Sequence, residues 1–241
     1  MTERTTAETG LEEFDRGWLE TIEKSIEQTP YLLVELGLAG LTRLGERPAS
    51  LDRFAGILHR STEDAAVLLR ENRTARIENG LIHWDDPFPG DRVIRTIQIG
   101  GREVPMKSGC APDLFGFAAI LDIPFTVEDT CATTGTPIRV AFVPNGYERV
   151  DPAGAVTLLL PPEDLGAALG AGSEEVNFEE VNAKICAHQP FFASAQAAEP
   201  ALAARPGSRV FTVKDMFDRP FITYCRDEVR PLIHPSRDRS G

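Results

Sequence analysis

Apolar residues near the amino terminus recur at helical spacing. They comprise Leu11, Phe14, Trp18, Leu19, Ile22 and Ile26. Intervals of three and four residues put such side chains on one face of a helix, so we predict an amphipathic helix over residues 11–26. Pro30 fits the first turn of a second helix, which carries leucines as far as Leu41.

Polar residues mark the starts of the two helices that follow. Ser50 precedes a short apolar stretch ending at Leu58, and its hydroxyl is expected to cap that helix. Ser61 and Asp64 have the three-residue spacing of a capping box, in front of a helix that runs to Arg73. We therefore predict two short capped helices in this part of the chain.

A tight hairpin is predicted after these helices. Residues 75–77 and 81–84 flank Asn79-Gly80, a dipeptide typical of a two-residue turn between antiparallel strands. Helices followed by a two-stranded ribbon favour a winged-helix-like helical domain, which we assign to residues 1–85.

The rest of the chain alternates between strand-like and helix-like patterns. An acidic, proline-containing loop over residues 85–91 is the best domain boundary, so residues 86–241 form the second predicted domain. Strands are predicted at residues 93–99, 125–128, 138–143, 155–160 and 210–213, a turn at Gly100-Gly101, helices at residues 110–122 and 216–232, and a mobile loop at Gly166–Gly172. The predicted fold class is α+β, in which the second domain is a mixed β-sheet core with flanking helices.

The charge of the chain limits the kinds of partner that it can bind. Of its 241 residues 42% are hydrophobic and 26% charged, and its formal net charge is −12. An acidic surface repels nucleic acid and anionic lipid unless basic residues are segregated, and the sequence contains no basic patch. The helix that would read DNA mixes Arg70 and Arg73 with Glu63, Asp64 and Glu71. We therefore expect no nucleic-acid partner, and expect the first domain to cover or brace the second.

The amino terminus and the apolar runs bear on location. Residues 1–17 are polar and acidic, without the basic start and apolar stretch of a secretory signal. The longest apolar run, residues 153–160, is strand-sized, whereas a membrane-crossing helix needs about 18 residues. We expect a cytoplasmic protein with no membrane partner, whose four cysteines stay reduced.

Cys110-Ala-Pro-Asp113 is the first segment that could carry chemistry. If a helix begins here, the thiol and the carboxylate lie on one face, near amide groups whose dipole favours a thiolate. Such a carboxylate can take the thiol's proton and return it to a departing group. Spacing alone nevertheless favours a buried cysteine followed by an aspartate in the first turn of a helix.

Cys186 and His188 lie in a second candidate segment. Taken alone, a cysteine followed by Phe191 and Phe192 is more typical of a core strand than of a site. His188 is expected to be a hydrogen-bonded histidine at the end of that strand. The sequence has no Walker loop, no Gly-x-Gly-x-x-Gly and no Gly-x-Ser-x-Gly, so common nucleotide, dinucleotide and serine-hydrolase sites are excluded.

The remaining cysteines have structural interpretations. Cys131 lies in a turn between two predicted strands, either behind the site or in a purely structural role. Cys225 continues a stripe of apolar residues at four-residue spacing, which indicates a buried helix face. A zinc site built from Cys110, Cys131, Cys186 and His188 is conceivable, but no close Cys-x-x-Cys pair supports a structural zinc knuckle.

Four motifs occur in order along the second predicted domain. They are Cys110-Ala-x-Asp113, Cys131-Ala-Thr-Thr-Gly135-x-Pro137, Val150-Asp-Pro-Ala-Gly154 running into Leu158-Leu-Leu-Pro161, and Cys186-x-His188-x-x-Phe191-Phe-Ala-Ser194. Together they resemble the organomercurial lyase (alkylmercury lyase) family over about residues 90–220, and a winged-helix-like first domain also agrees with that family. The resemblance implies that residues 86–241 are an alkylmercury-lyase-like catalytic domain.

The resemblance also implies roles for individual residues. Cys110 and Cys186 would be the two mercury-binding thiols, Asp113 the proton donor that also lies beside the transiently bound metal, and Cys131 structural. The activity implied is the protonolysis of carbon–mercury bonds to a hydrocarbon and Hg²⁺, without an organic cofactor, mercury entering as substrate and leaving as product. Low-molecular-weight thiols or a partner mercuric reductase would then remove the metal.

Two residues depart from the family's pattern and keep other functions open. Gly109 stands where the family often has an aromatic residue, and Pro112 is unusual between the cysteine and the aspartate. A family homologue repurposed for another thiol- and carboxylate-dependent reaction in small-molecule metabolism is therefore the main alternative. A metal-responsive DNA-binding regulator and a plain structural protein are the others.

Overall fold

The computed structural model describes residues 6–28, 48–58, 60–72, 75–84, 95–106, 109–120, 124–168, 181 and 183–233. Over these residues the protein is α+β, as predicted. The second predicted helix, the predicted domain boundary at residues 85 and 86, and residues 169–172 of the predicted loop lie outside the described residues.

Residues 48–84 form a small unit of helices and short strands. Its elements are β1 (Ala49–Ser50), α2 (Leu51–Ile57), α3 (Thr62–Asn72), β2 (Ala75–Glu78) and β3 (Leu81–Trp84). The strands form an antiparallel sheet in the order β1-β3-β2. Both helices pack on it around a core that includes the fully buried Phe54, Leu69 and Ile82.

The turn and cap chemistry predicted for this unit is confirmed. The Ser50 hydroxyl accepts the N–H of Arg53 at 3.4 Å, which caps α2. The Ser61 hydroxyl accepts the N–H of Asp64 at 3.0 Å and donates to the Asp64 carboxylate at 2.7 Å. Asn79 and Gly80 have φ values of 52° and 75°, the left-handed pair that a two-residue hairpin turn requires.

Helix α1 (Thr6–Gln28) packs against the second half of the chain. Phe14 and Trp18 belong to the larger core cluster, and the Trp18 indole donates to the carbonyl of Leu160 at 2.8 Å. Arg219 binds the Asp15 carboxylate at 2.9 Å, and Arg209 donates to the carbonyl of Gly10 at 2.7 Å. The helix is where the apolar spacing predicted it, but spacing shows which face is buried and not which surface covers it.

Five strands form the larger sheet of the described residues. They are β4 (Arg95–Ile99), β5 (Arg102–Met106), β6 (Phe125–Thr130), β7 (Pro137–Val143) and β8 (Gly146–Asp151). Their order is β5-β4-β6-β7-β8. The predicted turn at Gly100-Gly101 is confirmed, and both glycines have positive φ.

The prediction of a mixed sheet is wrong for the described residues. Every pairing between their strands is antiparallel. Short turns join β4 to β5, β6 to β7 and β7 to β8, and a short turn can only join strands that run in opposite directions.

A second sheet and a set of helices enclose the core. Strands β9 (Val156–Leu159), β10 (Phe191–Phe192) and β11 (Arg209–Thr212) form an antiparallel sheet in the order β10-β9-β11. Around them lie α4 (Ala111–Ile120), α5 (Pro162–Ala168) and α6 (Ala195–Ala204). All four residues of β9 are buried, and α4 packs against it. Helix α5 includes residues 166–168, so this part of the predicted mobile loop is helical instead.

The single final helix that was predicted is instead a series of short turns. It comprises α7 (Val213–Phe217), α8 (Pro220–Tyr224), a π-helical turn at Cys225–Val229 and α9 (Arg230–Ile233). Arg219 adopts an extended conformation because the ring of Pro220 disfavours helical backbone in the preceding residue. Among the described residues no helix is both long and apolar enough to cross a membrane.

Candidate active site

Cys110 and Asp113 lie at the start of α4. The N–H of Cys110 donates to Asp113 Oδ2 at 2.6 Å, so the carboxylate closes the first turn of the helix. Pro112 lies in that turn, where no intrahelical bond needs its missing N–H. Every residue of α4 except Asp113 is buried, so this carboxylate is the one polar and partly accessible group on a helix otherwise enclosed by core.

Cys186 reaches the same place from a separate segment. It begins a 3₁₀ turn over Cys186–His188, and the strand predicted for this segment starts only at Phe191. The main chain turns on itself here, since the N–H of His188 bonds the carbonyl of Ile185 at 3.0 Å. The prediction of a core strand at Cys186 is therefore wrong.

The two thiols and the carboxylate converge. Cys110 Sγ, a carboxylate oxygen of Asp113 and Cys186 Sγ all lie within 4.8 Å of one another. Cys110 is 4% exposed, while Cys186 and Asp113 are half-buried, so solvent reaches part of the group. The two soft sulfur donors at this separation fit a soft, thiophilic metal.

The surroundings keep Cys110 a neutral thiol at neutral pH. Burial raises its pKa well above the usual value, and a hydrogen bond shared with Cys186 and the charges of Asp113 and Cys186 raise that pKa further. A hydrogen bond from the N–H of Asp113 opposes them only in part. The Cys110 thiol must therefore lose its proton before its sulfur can act as a nucleophile.

Gln189 also contacts the site, although sequence reasoning missed it. It is fully buried, and its Nε2 donates to Cys110 Sγ at 3.6 Å. Its backbone carbonyl accepts the N–H of Ala111 at 2.9 Å, which joins the 3₁₀ turn to the start of α4. The one signal in the sequence is a glutamine between a histidine and Pro190-Phe191-Phe192, which does not reveal its partner.

Cys131 and Cys225 lie outside the cluster. Cys131 is buried in the turn between β6 and β7; burial alone would raise its pKa, but hydrogen bonds from the Thr134 hydroxyl and from the N–H groups of Ala193, Thr134 and Thr133 lower it. Burial raises the pKa of Cys225 to about 12, and the charge of Asp113 adds to the shift. The predicted burial of both thiols is confirmed.

The zinc site considered from the sequence does not form. Among the described residues the only group of three or more potential metal ligands is Cys110, Asp113 and Cys186, without Cys131 or His188. Partial burial lowers the pKa of His188, the charge of Arg205 lowers it further, and a hydrogen bond to the backbone of Ala183 opposes both. His188 is therefore hydrogen-bonded, as predicted, although in a 3₁₀ turn.

The comparison with protein families decides the relationship. A family model described as alkylmercury lyase matches residues 96–219, more than half of the chain. The chain belongs to the alkylmercury lyase family. Its matched region contains all three residues of the cluster.

Individual alkylmercury lyases align over part of their length. The chain is 32% identical to the alkylmercury lyase of Bacillus cereus over 109 residues, which are 45% of this chain and 44% of that protein. It is 30% identical to the alkylmercury lyase of Streptomyces lividans over 137 residues, 55% of this chain and 60% of that protein. The chain thus spans about half the length of the curated relatives it matches.

A solved structure shares the fold of this alkylmercury lyase family member. The mercury-bound form of MerB2 superposes with a TM-score of 0.57 at 14% sequence identity, covering 91% of this chain and 100% of that one. At this identity the likeness establishes the α+β fold.

Proposed function

We propose that this protein is an organomercurial lyase that cleaves carbon–mercury bonds by protonolysis, with Cys110, Cys186 and Asp113 as its catalytic residues. The convergence of two sulfurs and a carboxylate within 4.8 Å is the observation that supports this most directly. Membership of the alkylmercury lyase family supports it independently. The proposed substrate is a small organomercurial, R–Hg⁺.

The first proposed step is capture of the metal. Asp113 accepts the proton of the Cys110 thiol while the sulfur forms a bond to mercury. Cys186 then adds as the second sulfur ligand and releases its proton to solvent. The raised pKa of Cys110 fits this order, because a thiol that stays neutral needs a neighbouring base when it binds a cation.

The second proposed step is protonation of carbon. Two sulfurs push electron density onto mercury, and the Asp113 carboxylic acid donates its proton to the carbon. The electron pair of the carbon–mercury bond becomes that of the new carbon–hydrogen bond, so R–H leaves and mercury remains Hg²⁺ on the two sulfurs. No oxidation state changes, and the reaction as proposed needs no organic cofactor.

The product must then leave two strong sulfur ligands. We propose that low-molecular-weight thiols, or a partner mercuric reductase that presents its own thiols, remove Hg²⁺ by ligand exchange. The half-buried Cys186 is the accessible sulfur at which such exchange would begin.

Hydrocarbon release tests the proposal. Purified protein incubated with phenylmercury and excess thiol should release benzene, measured by gas chromatography, at a rate proportional to protein concentration. The Cys110→Ala variant supplies the background, and Cys131 and Cys225 remain to bind mercury in it. Release no faster than this background would contradict the proposed activity and favour a repurposed homologue.

We further propose that residues 48–84 belong to a winged-helix-like module that braces the second half of the chain. The strand order β1-β3-β2, with two helices before the hairpin, supports this arrangement. Contacts between α9 and α2 provide the bracing. A bracing module would tolerate substitution of its exposed basic residues without loss of hydrocarbon release.

A further inference from the structure

A buried amide beside the first thiol has no part in the chemistry proposed above. Gln189 is 0% exposed, and its Nε2 lies 3.6 Å from Cys110 Sγ. That separation suits a hydrogen bond to sulfur, because sulfur is larger than oxygen. A fully buried polar side chain is costly unless its groups have partners, so the contact calls for an explanation.

The orientation of this amide is fixed by its other end. Gln189 Oε1 accepts the N–H of Leu160 at 3.0 Å. The NH₂ group of the amide cannot take the place of Oε1, because it is itself a donor and would face another donor. Turning the amide over would leave the buried N–H of Leu160 unpaired and place an oxygen against the sulfur. Nε2 therefore faces Cys110 as a donor.

Leu160 is itself held on its other side. Its carbonyl accepts the indole N–H of Trp18 at 2.8 Å, so hydrogen bonds run from α1 through Leu160 and Gln189 to Cys110. The backbone carbonyl of Gln189 also accepts the N–H of Ala111 at 2.9 Å. The same residue thus contacts both the sulfur and the start of the helix that carries Asp113.

We propose that Gln189 is a positioning residue whose N–H···S hydrogen bond aims the Cys110 sulfur at the point it shares with Cys186 and Asp113 and stabilises negative charge on it as it attacks. The consequence for mercury rests on the proposed lyase function. The effect on the reactivity of the sulfur does not, because any electrophile would reveal it.

Site-resolved alkylation tests the proposal without mercury. The folded protein is treated with iodoacetamide at pH 8, and modification of Cys110 is followed by mass spectrometry of its peptide. In Gln189→Met the rate at Cys110 should fall about ten-fold, the size expected for losing one hydrogen bond to a charged group. In the lyase assay, kcat/KM should fall more than kcat, because capture is the step affected.

If Gln189 only supported the fold, its replacement would raise the alkylation rate of Cys110 instead of lowering it. Cys110 is 4% exposed, so a looser site would admit the reagent and raise the alkylation rate. Trp18→Phe removes the hydrogen bond at the far end of the series and should leave the Cys110 rate unchanged or raised. Gln98→Met makes the same chemical change in an exposed hairpin, where the Gln98 amide donates to Glu103 at 3.1 Å, and should have no effect. An unchanged or faster rate in Gln189→Met would overturn the proposal.

A measurement on the unmodified sequence covers the case in which Gln189→Met does not fold. The side-chain amide resonances of Gln189, assigned through its backbone in ¹H–¹⁵N spectra, should shift when Cys110 is alkylated. Resonances that do not move would overturn the proposal. Hydrocarbon release by the wild type is scored separately, so a protein that releases none can still show the Gln189 effect, and an active one can lack it.

Discussion

Asp113 has a structural task, visible in its hydrogen bond to Cys110, and a proposed catalytic one, and substitution can separate the two. Its Oδ2 accepts the N–H of Cys110 at 2.6 Å and so shapes the first turn of α4, and the same carboxyl group lies within reach of both sulfurs. The first task needs only an acceptor oxygen. The second needs a proton that can be taken up and given back.

Asp113→Asn should therefore keep mercury binding and lose bond cleavage. The amide oxygen can still accept the N–H of Cys110, but the amide has no proton to deliver to carbon. Hydrocarbon release should fall at least about 100-fold, the usual size of a general acid's contribution, while Hg²⁺ binding, measured by equilibrium dialysis, keeps the stoichiometry of the wild type. Loss of both properties together would mean that Asp113 maintains the fold instead.

Cys225→Ala should change stability and its pH dependence while keeping most of the turnover. The folded-state pKa of Cys225 is about 12, against an ordinary value of 9.0. Above pH 9 the unfolded chain loses this proton and the folded protein keeps it, so the wild type loses up to about 1.4 kcal/mol of stability per pH unit as the pH rises toward 12.

The variant lacks that loss, so its deficit relative to the wild type, about 1 kcal/mol near pH 7, should shrink above pH 9. Urea unfolding at pH 7, 9 and 10 measures it. Curves that stay parallel across this range would contradict the burial of a neutral Cys225 thiol.

At the scale of single elements, the turn that precedes α4 depends on a glycine. Gly109 has a φ of +94°, a conformation that residues with a Cβ rarely adopt. A Cβ built there would lie 3.2 Å from Asp113 Oδ2 and 3.4 Å from Met106 Cε. The departure from the family's aromatic pattern at this position therefore comes with a backbone geometry that suits glycine.

Gly109→Ala should lower both stability and activity. Left-handed strain costs about 1–2 kcal/mol, and the added methyl group would displace the Asp113 carboxylate. Gly56→Ala is the matched control, because Gly56 lies in α2 and a Cβ there meets nothing within 4 Å. Thermal unfolding and hydrocarbon release should drop only in Gly109→Ala; equal behaviour of the two variants would contradict the strain argument.

Besides burying Phe14 and Trp18, helix α1 approaches α5 closely at Gly17. A Cβ at Gly17 would lie 2.8 Å from Pro162 Cγ, at the start of α5. Gly17→Val should push the helix off this corner and cost about 1–3 kcal/mol, as overpacking does. Glu13→Val, on the exposed face of α1, is the control for the β-branched residue itself. Equal unfolding midpoints for the two variants would show that the helix accommodates the methyl groups.

At the scale of the whole molecule, the net negative charge disfavours DNA as a partner. The formal net charge of −12 should prevent association with DNA through the proposed winged-helix-like module. We expect no retardation of a random-sequence duplex at low salt, with a basic DNA-binding protein as positive control. Strong, salt-sensitive retardation would instead favour the regulator considered from the sequence.

Structural features that depend on adjacent residues could be predicted from the sequence. Caps at Ser50 and Ser61 and the turns at Asn79-Gly80 and Gly100-Gly101 follow from the chemistry of adjacent residues, and all are confirmed. The helix break before Pro220 also depends on adjacent residues. The apolar stripe that runs across it nevertheless favoured one continuous helix, and that prediction was wrong.

Features that depend on distant contacts were not accessible in the same way. Spacing alone favoured structural roles for Cys110 and Cys186, and only the ordered motifs of the family brought them together. Gln189 was missed because its two partners, Leu160 and Cys110, are far from it along the chain. A polar residue in an apolar segment signals a buried hydrogen bond, but does not name the atom at its other end.

The packing of α1 on the carboxy-terminal half affects the design of truncated or chimeric versions of this protein. A fragment that started at residue 86, the boundary suggested by composition, would uncover the apolar surface that Phe14 and Trp18 occupy and deprive Leu160 of its indole donor. Chimeras that exchange amino-terminal modules between relatives should therefore carry residues 6–28 along with the carboxy-terminal half, or add them back as a separate peptide.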